Sequence, residues 1–541
     1  MRRYWVVALA VLTLLGVLSP PAFAQAPAPK VSISGFIASY GSAAHNTSQM
    51  PGGGASNFDV ERPGDHEWSS HTRARFFLTA ELGKAKGVLG LELDHAWGQV
   101  GATDSVTLQQ STTQKTNSTS AFDLGVDNTG IIEVKQLYVE FPVPLIPFPT
   151  TLKLGAVPVS ATYKTGAYYM TEAAGVDLSM TITPNVKWNF TYIQIDEDWI
   201  GNRPQSPNGT CVAAATNAAV SAASNTEGVG CARGDDFAII TSFDVIPMKG
   251  LEIRPMYSFA WLNGPQPGLF ARPHAIGGLP AVGKGQEEQR HTFGAEARWR
   301  SGPWTLQPTV LWQRGAKESS ITTFLPAGVP RLQPKAEINA FLIDVDGSYR
   351  LGPWLFDARY IYTSGNRPRD RLDRDINYYQ PLGTDAAYGA DWGDMWGAGQ
   401  VDNFQGCIYN MCQTVGFERH GRQGFVLGAT YSVTPDLDLD LAGGPMWTAR
   451  SVDTDGTRAA NGAITPFCDN QACKGDESYL GTDLSFKLIW RFAPGLQARV
   501  GFAYLLAGPA FDISELRRDT ARTKNDADDA YYGGWMVQYN F

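Results

Sequence analysis

The chain has 541 residues, of which 43% are hydrophobic, 18% are charged and 11% are aromatic, and its formal net charge is −9. An acidic chain without a basic stripe is not expected to bind nucleic acid. Most soluble chains of this length divide into several domains. The composition here stays uniform from about residue 30 to the end. We therefore predict one large domain over residues 25–541.

The N-terminus has the features of an export signal. Arg2 and Arg3 precede an apolar run over residues 5–18, and Ala22-Phe23-Ala24 supplies a small-x-small cleavage site. This order predicts a secretion signal peptide over residues 1–24 that is removed on export. Beyond it the sequence has no run of about 18 apolar residues, so no membrane-spanning helix is predicted.

Period-two alternation of apolar and polar residues dominates the rest of the chain. Between residues 251 and 261 one face is apolar and the other carries Glu252 and Arg254, and residues 480–491 and 496–504 repeat the pattern. Successive side chains of a β-strand point to opposite faces. Each segment is therefore predicted to be a strand with one apolar and one polar face.

The connections distinguish between a soluble sandwich and a membrane barrel. Eight short links, at 83–86, 142–150, 183–185, 247–250, 301–303, 351–353, 434–436 and 493–495, alternate with nine long polar loops. Short turns at one rim and long loops at the other are typical of outer-membrane barrels. Closure also pairs every backbone group without leaving sheet edges in lipid. The sequence thus predicts an all-β, antiparallel up-and-down transmembrane barrel of about 18 strands, with 16–20 as the range.

The C-terminal strand gives the chain a family resemblance. Trp535, Val537, Tyr539 and Phe541 form an apolar ladder that ends on the last residue, and the segments 133–141 and 152–159 are similar to the strands that flank the third loop of porins. Over residues 30–541 the chain resembles Gram-negative outer-membrane porins, and its strand number resembles the substrate-specific class. The resemblance implies a place in the cell outer membrane among lipid and lipopolysaccharide. It also implies recognition of the Phe541 strand by the barrel-assembly machinery, a possible homotrimer, and small solutes as the transported species.

Inward positions predicted from the alternation carry both signs of charge. Rings of a single sign set ion selectivity in pores, and no such excess is found. The charges either line a wet channel or pair across strands and solvate its wall. The predicted pore-lining residues are Arg73, Arg75, Glu92, Asp94, Arg254, Glu296, Arg298, Asp344, Asp346, Arg359, Asp438, Asp440, Lys487 and Arg499.

Two loops are candidates for narrowing the lumen. The loop 159–174 occupies the third-loop position, and in the porins that the chain resembles this loop folds into the lumen. Its predicted constriction residues are Tyr163, Lys164, Tyr168, Tyr169 and Glu172, although so short a loop could instead stay outside. The loop 364–421 is the longest. Its aromatic and charged residues suit a ligand site, but we expect a lid folded over its own rim.

The six cysteines fall into three near pairs in the predicted exterior loops. An even number in an exported chain favours disulfides, and the spacing suits neither a zinc site nor haem attachment. No metal or cofactor is predicted. The candidate disulfide residues are Cys211, Cys231, Cys407, Cys412, Cys468 and Cys473.

Three functions remain after these observations. The leading prediction is a passive or weakly selective channel for small hydrophilic solutes or ions. A second is a structural barrel that encloses or anchors a periplasmic, electron-transfer or export partner. The third, a hydrolase carried by surface loops, is disfavoured because the sequence has no HExxH, GxSxG, Walker or GxGxxG motif, and we predict that the chain is not an enzyme.

Overall fold

Eighteen long antiparallel strands form the wall of a closed barrel in the computed structural model. The structure describes residues 29–45, 66–96, 132–164, 166–196, 236–262, 288–318, 335–367, 369–370, 374–384, 420–452, 457–458, 464–465, 475–511 and 529–541. The predicted signal peptide and all six cysteines lie outside these residues, so cleavage and disulfide pairing stay predictions.

The strands are numbered β1 to β22 in chain order, and four of them are only two residues long. Those four are β14 (Asp375–Ile376), β15 (Gly383–Thr384), β18 (Thr457–Arg458) and β19 (Ile464–Thr465). The barrel strands are β1 (Lys30–His45), β2 (His66–Leu82), β3 (Ala85–Ala96), β4 (Ile132–Pro142), β5 (Thr150–Ser160), β6 (Tyr169–Thr183), β7 (Val186–Asp196), β8 (Asp236–Met248), β9 (Leu251–Leu262), β10 (Glu288–Ser301), β11 (Trp304–Glu318), β12 (Lys335–Leu351), β13 (Trp354–Thr363), β16 (Gln423–Thr434), β17 (Leu437–Val452), β20 (Glu477–Ala493), β21 (Leu496–Ala507) and β22 (Ala530–Asn540).

The first and last barrel strands close the wall. β1 pairs with β22 in antiparallel register from Phe36 opposite Asn540 to His45 opposite Tyr531. Gly35 and Phe541 exchange two further backbone hydrogen bonds of 3.0 Å. Each barrel strand therefore has a partner on both sides, and the predicted fold, strand number and closure are confirmed.

The short turns lie where the sequence predicted them. Gly302 and Gly352 begin the Gly-Pro turns after β10 and β12, with φ of 58° and 57°. A two-residue hairpin of the II′ type needs a positive φ at its first central position, which glycine adopts without strain. Proline at the second position fixes a negative φ. These turns mark one rim of the barrel, and Lys30 at the start of β1 and the C-terminal Phe541 lie at this rim.

The outer face of the wall is apolar and exposed. Leu, Val, Ile, Phe, Tyr and Trp side chains such as Val310, Phe356, Leu427, Leu484 and Val500 keep two-fifths or more of their surface uncovered. A band of this size around a whole barrel exceeds the apolar patches that soluble monomers expose. It is the surface that a membrane-spanning barrel presents to lipid.

In strand β20 one residue lies on the face opposite to the predicted one. The alternation of β20 predicts Leu480 on the outer face with Leu484, but Leu480 is fully buried inside. The register of β20 against β17 shifts between Met446 and Trp447, and Gly481 has a φ of 133°. An extra residue in one strand reverses the facing of all residues beyond it. The prediction for Leu480 was wrong because of this bulge.

No helix in the described ranges is long and apolar enough to cross a bilayer.

Candidate functional site

The inner wall divides into two halves along the barrel axis. On β12 the inward residues from the loop rim are Ala336, Ile338, Ala340 and Leu342, all buried. The buried Asp344 marks the boundary, and Asp346 and Arg350 follow toward the turn rim. β9 shows the same order, with Ala260 and Leu262 near the loops and Glu252 and Arg254 near the turn. We call these regions the loop-side half and the turn-side half.

Charges of the turn-side half pair across neighbouring strands. In an antiparallel sheet, inward side chains on facing residues lie within contact distance. The pairs, with their N–O distances, are Lys86–Glu140 (3.0 Å), Lys153–Asp177 (3.2 Å), Arg254–Asp244 (2.5 Å), Arg298–Glu252 (3.0 Å), Lys487–Asp440 (3.4 Å) and Arg491–Asp438 (2.8 Å). Cross-strand pairing therefore describes these residues better than a wall of single-sign charge.

A second group of charges surrounds Glu92 on β3. Its buried carboxylate is bonded by Arg75 and lies 3.5 Å from Arg73 and 3.6 Å from Lys135. Glu133 in turn lies 3.3 Å from Lys135. The three cations are partly exposed, whereas Glu92 is 2% exposed. On the wall formed by β2–β4 the cationic groups therefore contact the lumen more than their central carboxylate does.

The loop between β5 and β6 folds against the inner wall rather than outside the barrel. We call the described residues 161–164 and 166–168 the first inward segment. The Ala161 N–H donates to the Tyr169 carbonyl at 2.9 Å, and the Thr162 hydroxyl donates to the Lys164 carbonyl at 2.9 Å. These local bonds hold the segment in a tight hairpin, so its short length is sufficient for it to reach the wall of the barrel.

Tyr163 joins the first inward segment to β9 and β10. Its N–H donates to Glu296 at 2.7 Å and its hydroxyl donates to Glu252 at 2.7 Å. The guanidinium groups of Arg254 and Arg298 lie 3.9 and 3.7 Å from the centre of its ring, within the range of cation–π attraction. Burial and the Glu252 bond together raise the pKa of the Tyr163 hydroxyl above its usual range.

Lys164 joins the same segment to β12. Its ammonium group lies 2.5 Å from Asp344, whose two carboxylate oxygens also accept hydrogen bonds from Arg359 at 3.2 and 2.7 Å. All three side chains are buried. Burial lowers the pKa of Lys164, and the Asp344 carboxylate opposes that shift. A buried carboxylate that contacts two cations makes this the main electrostatic anchor of the segment.

Tyr168 and Tyr169 do not border the open lumen. Both are 0% exposed, and the Tyr168 hydroxyl donates to Ser258 of β9 at 2.8 Å. Burial raises the pKa of Tyr168. Glu172 lies outside the inward segment, on β6, where Gln136 of β4 donates to it at 3.5 Å. Tyr168 and Tyr169 therefore pack against the wall and do not line the lumen. Glu172 is only partly buried, and its constriction role stays a prediction.

The start of the longest loop also lies inside the barrel. We call residues 375–384 the second inward segment. Gln380 and Gln313 of β11 exchange two amide hydrogen bonds of 2.7 and 3.1 Å, and Arg290 of β10 donates to the Gln380 carbonyl at 3.1 Å. The predicted lid over the rim is wrong for this part of the loop. The remainder, 385–419, lies outside the described residues.

The two inward segments contact each other. The Tyr379 hydroxyl donates to the Ala167 carbonyl at 2.8 Å, and the Leu382 N–H donates to the Tyr168 carbonyl at 2.8 Å. Burial raises the pKa of Tyr379 well above its usual range. β14 pairs with β12 and β15 pairs with β6, both in parallel. The second segment therefore runs along the wall from β12 to β6 and covers part of the first.

The predicted pore-lining residues fall into three groups. Those that are inward and partly exposed are Arg73, Arg75, Arg254, Arg298, Asp346, Asp438, Asp440, Lys487 and Arg499. Four are inward but buried, which corrects their predicted contact with the lumen: Glu92, Glu296, Asp344 and Arg359. Asp94 pairs through its backbone with Arg73, and its side chain lies outside the described part of the structure.

The sequence analysis did not predict the second inward segment. Residues 375–384 contain Ile376, Tyr378, Tyr379 and Leu382 but only one charge, within a loop that is otherwise rich in charged residues. Such a composition favours burial and was the available signal. The polar residues Gln313 and Arg290 on an otherwise buried wall were the complementary signal.

The chain was compared with known families and solved structures. No family model and no curated protein matches it. Among solved structures, Pseudomonas aeruginosa OccK11 (OpdR) is 11% identical, with 94% of this chain and 96% of that chain covered and a TM-score of 0.44. P. aeruginosa OccD3 (OpdP) is 9% identical over 97% of both chains with a TM-score of 0.45, and Acinetobacter baumannii OccAB4 is 9% identical over 96% and 99% with a TM-score of 0.45.

Proposed function

We propose that this protein is an outer-membrane channel through which small hydrophilic solutes diffuse passively. The observation that carries the proposal is a closed barrel whose outside is apolar and exposed, while its inside has partly exposed charges. An apolar outer band suits lipid. Ionised side chains that are not buried are stabilised by water, which implies a wet interior.

The exposure of the turn-side charges supports this proposal. Arg298 is 42% exposed and its partner Glu252 is 28% exposed. Lys86 and Lys153 on the neighbouring part of the wall are 34% and 27% exposed. A dry core would leave these groups at a high energetic cost. Water therefore reaches the inner wall at the turn rim.

The inward segments indicate where solutes pass. The described contacts of both segments lie on β6 and on β8–β13, through residues such as Tyr163, Lys164 and Gln380. Material packed on one wall narrows the lumen from that side. We propose that solutes move along the opposite wall, past Lys487 with its partner Asp440 and past Arg73 and Arg75 with their shared partner Glu92.

The proposed setting is the outer membrane of a Gram-negative bacterium. The C-terminal strand pairs with β1 through Trp535 and Tyr539 and closes the barrel, which supports its proposed use as the signal for barrel assembly. Contacts with lipopolysaccharide and a homotrimer remain predictions of the family resemblance.

Conductance in planar bilayers tests the proposal. Purified, folded protein should give stable ion-conducting steps, and liposomes that contain it should swell in isotonic solutions of small sugars. Heat-unfolded protein added in the same amount is the control. Bilayers that stay closed at every voltage would count against a channel. Isolation of the barrel with a tightly bound periplasmic protein inside it would instead favour a structural barrel that encloses a partner.

A further inference from the structure

We infer that the channel distinguishes little between cations and anions and is suited to uncharged and zwitterionic solutes. This inference rests on the proposed channel function and adds a substrate class to it. It follows from how the strand register arranges charges on the inner wall of the turn-side half.

A row of alternating charge crosses six neighbouring strands, β1 to β6. The register places oppositely charged residues opposite each other at every step, without a break. The row runs Lys30, Glu81, Lys86, Glu140, Lys153 and Asp177. Two of its steps are ion pairs, Lys86–Glu140 at 3.0 Å and Lys153–Asp177 at 3.2 Å.

The arrangement continues on other strands. Lys187 of β7 lies opposite Asp244 of β8 in the register, and Arg298 pairs with Glu252 between β10 and β9 at 3.0 Å. Across the barrel, Lys487 pairs with Asp440 at 3.4 Å and Arg491 with Asp438 at 2.8 Å. Within the described strands, each of these cations therefore has a carboxylate as its neighbour.

The groups nearest the inward segments are also balanced. Asp344 and Asp346 of β12 face Lys164 and Arg359. Around Glu92, on the opposite wall, the cations Arg73, Arg75 and Lys135 contact two carboxylates, those of Glu92 and Glu133. In the described part of the wall, no ring of a single sign forms.

Alternation on this scale cancels the electric field over a short distance. Neighbouring strands are about 4.8 Å apart, which is shorter than the Debye length of about 8 Å at physiological salt. A single ion in the lumen therefore experiences neighbouring charges of both signs at similar distances. Selectivity filters need charges of one sign instead.

A zwitterion fits the same wall better than an ion does. Its ammonium and carboxylate groups are separated by a few ångströms, so each lies near an opposite charge of the row at the same time. An uncharged polar solute can form hydrogen bonds with the charged side chains of the row, and it is not repelled because it carries no net charge. The structure thus assigns amino-acid-like and uncharged polar molecules as preferred solutes over simple carboxylates and amines.

Reversal potentials in a KCl gradient test the inferred weak selectivity between cations and anions. Wild-type protein should give a K⁺ to Cl⁻ permeability ratio within about threefold of unity. Lys153→Gln leaves Glu140 and Asp177 in excess and should raise the ratio roughly two- to sixfold, whereas Asp177→Asn should lower it by a similar factor. The double variant Lys153→Gln/Asp177→Asn should return to the wild-type ratio.

Liposome swelling tests the solute class. Alanine, propionate and propylammonium have similar sizes, and alanine should enter fastest once leakage into protein-free liposomes is subtracted. Conducting channels with a strong preference for one ion, or faster entry of propionate or propylammonium, would overturn this inference and leave the channel function intact. Absence of conductance would overturn both.

Discussion

Ion pairs of the inner wall have different surroundings in the turn-side half and under the first inward segment. In the turn-side half, Lys487 and Asp440 are each about one-fifth exposed. Under the first inward segment, Asp344 is fully buried between Lys164 and Arg359. Exposed pairs contribute about 0–1 kcal/mol, whereas removal of one member of a buried pair costs about 3–5 kcal/mol.

The difference shows that ion pairs of similar geometry have different roles in the two regions. Pairs in the turn-side half keep the wall hydrated and electrically balanced. The pair under the segment, together with the apolar residues of the loop-side half, fixes the position of material inside the barrel. Matched substitutions in the two regions therefore test this division.

Asp344→Ala should have the largest effect. It leaves Lys164 and Arg359 buried without their shared carboxylate, and the free energy of unfolding should fall by about 3–5 kcal/mol. Urea unfolding in lipid vesicles, followed by tryptophan fluorescence, measures this loss. The matched control is Asp440→Ala, which should lower the stability by less than about 1 kcal/mol. Equal losses in the two variants would contradict the division of the wall.

Leu342→Ala should have the next largest effect. Leu342 is fully buried in the loop-side half, and truncation of a buried leucine leaves a cavity that costs about 2–5 kcal/mol. The control is Ile489→Ala on the turn-side half of β20, where the side chain is only partly buried. Its loss in the same urea measurement should be clearly smaller. A larger loss at Ile489 would place the packed region at the wrong end of the barrel.

High pH should weaken the inward segments. The pKa of Tyr163, Tyr168 and Tyr379 is raised in the folded protein, first of all by burial. Above pH 10 the unfolded chain loses these protons while the folded chain keeps them. Stability is then constant with respect to these groups below pH 10 and falls above it, by up to about 1.4 kcal/mol per pH unit for each group.

The tyrosine contribution can be separated from other titrations. The contribution of Lys164 to the pH dependence of stability has the opposite sign. Its pKa is lowered in the folded protein, so stability rises with pH as the folded Lys164 loses its proton below the ordinary pKa of 10.5. The variant Tyr168→Phe/Tyr379→Phe should therefore show a smaller alkaline loss than the wild type in unfolding measured from pH 8 to about pH 11. An unchanged slope would show that these hydroxyls do not stay protonated inside the barrel.

Tyr168→Phe should give the smallest effect. It removes one buried hydrogen bond, to Ser258, while the ring still packs against the wall, so a loss of about 1 kcal/mol is expected at neutral pH. A double-mutant cycle with Ser258→Ala measures the coupling between the two hydroxyls. Additive losses would show that they act independently and would contradict the hydrogen bond.

The sequence was sufficient for the wall of the barrel but not for its contents. Alternation and turn residues such as Gly302 and Gly352 are local, so they predicted the strand number and the short rim. The position of the first inward segment could be predicted only through the family resemblance. Burial of Asp344 depends on Lys164, which is 180 residues away in the chain, and no local pattern reports it. The shifted register at Leu480 is likewise invisible to a strict period of two.

The second inward segment has a mechanical consequence. Through β14 and β15 it joins β12 to β6, two strands that are far apart around the ring. A hydrogen-bonded cylinder without internal links deforms most easily by flattening into an ellipse when lateral pressure in the bilayer changes. A link that is hydrogen-bonded to both strands and packed on the wall between them resists the change of curvature that this flattening requires. The bore of this barrel should therefore keep its cross-section across lipids of different thickness and tension.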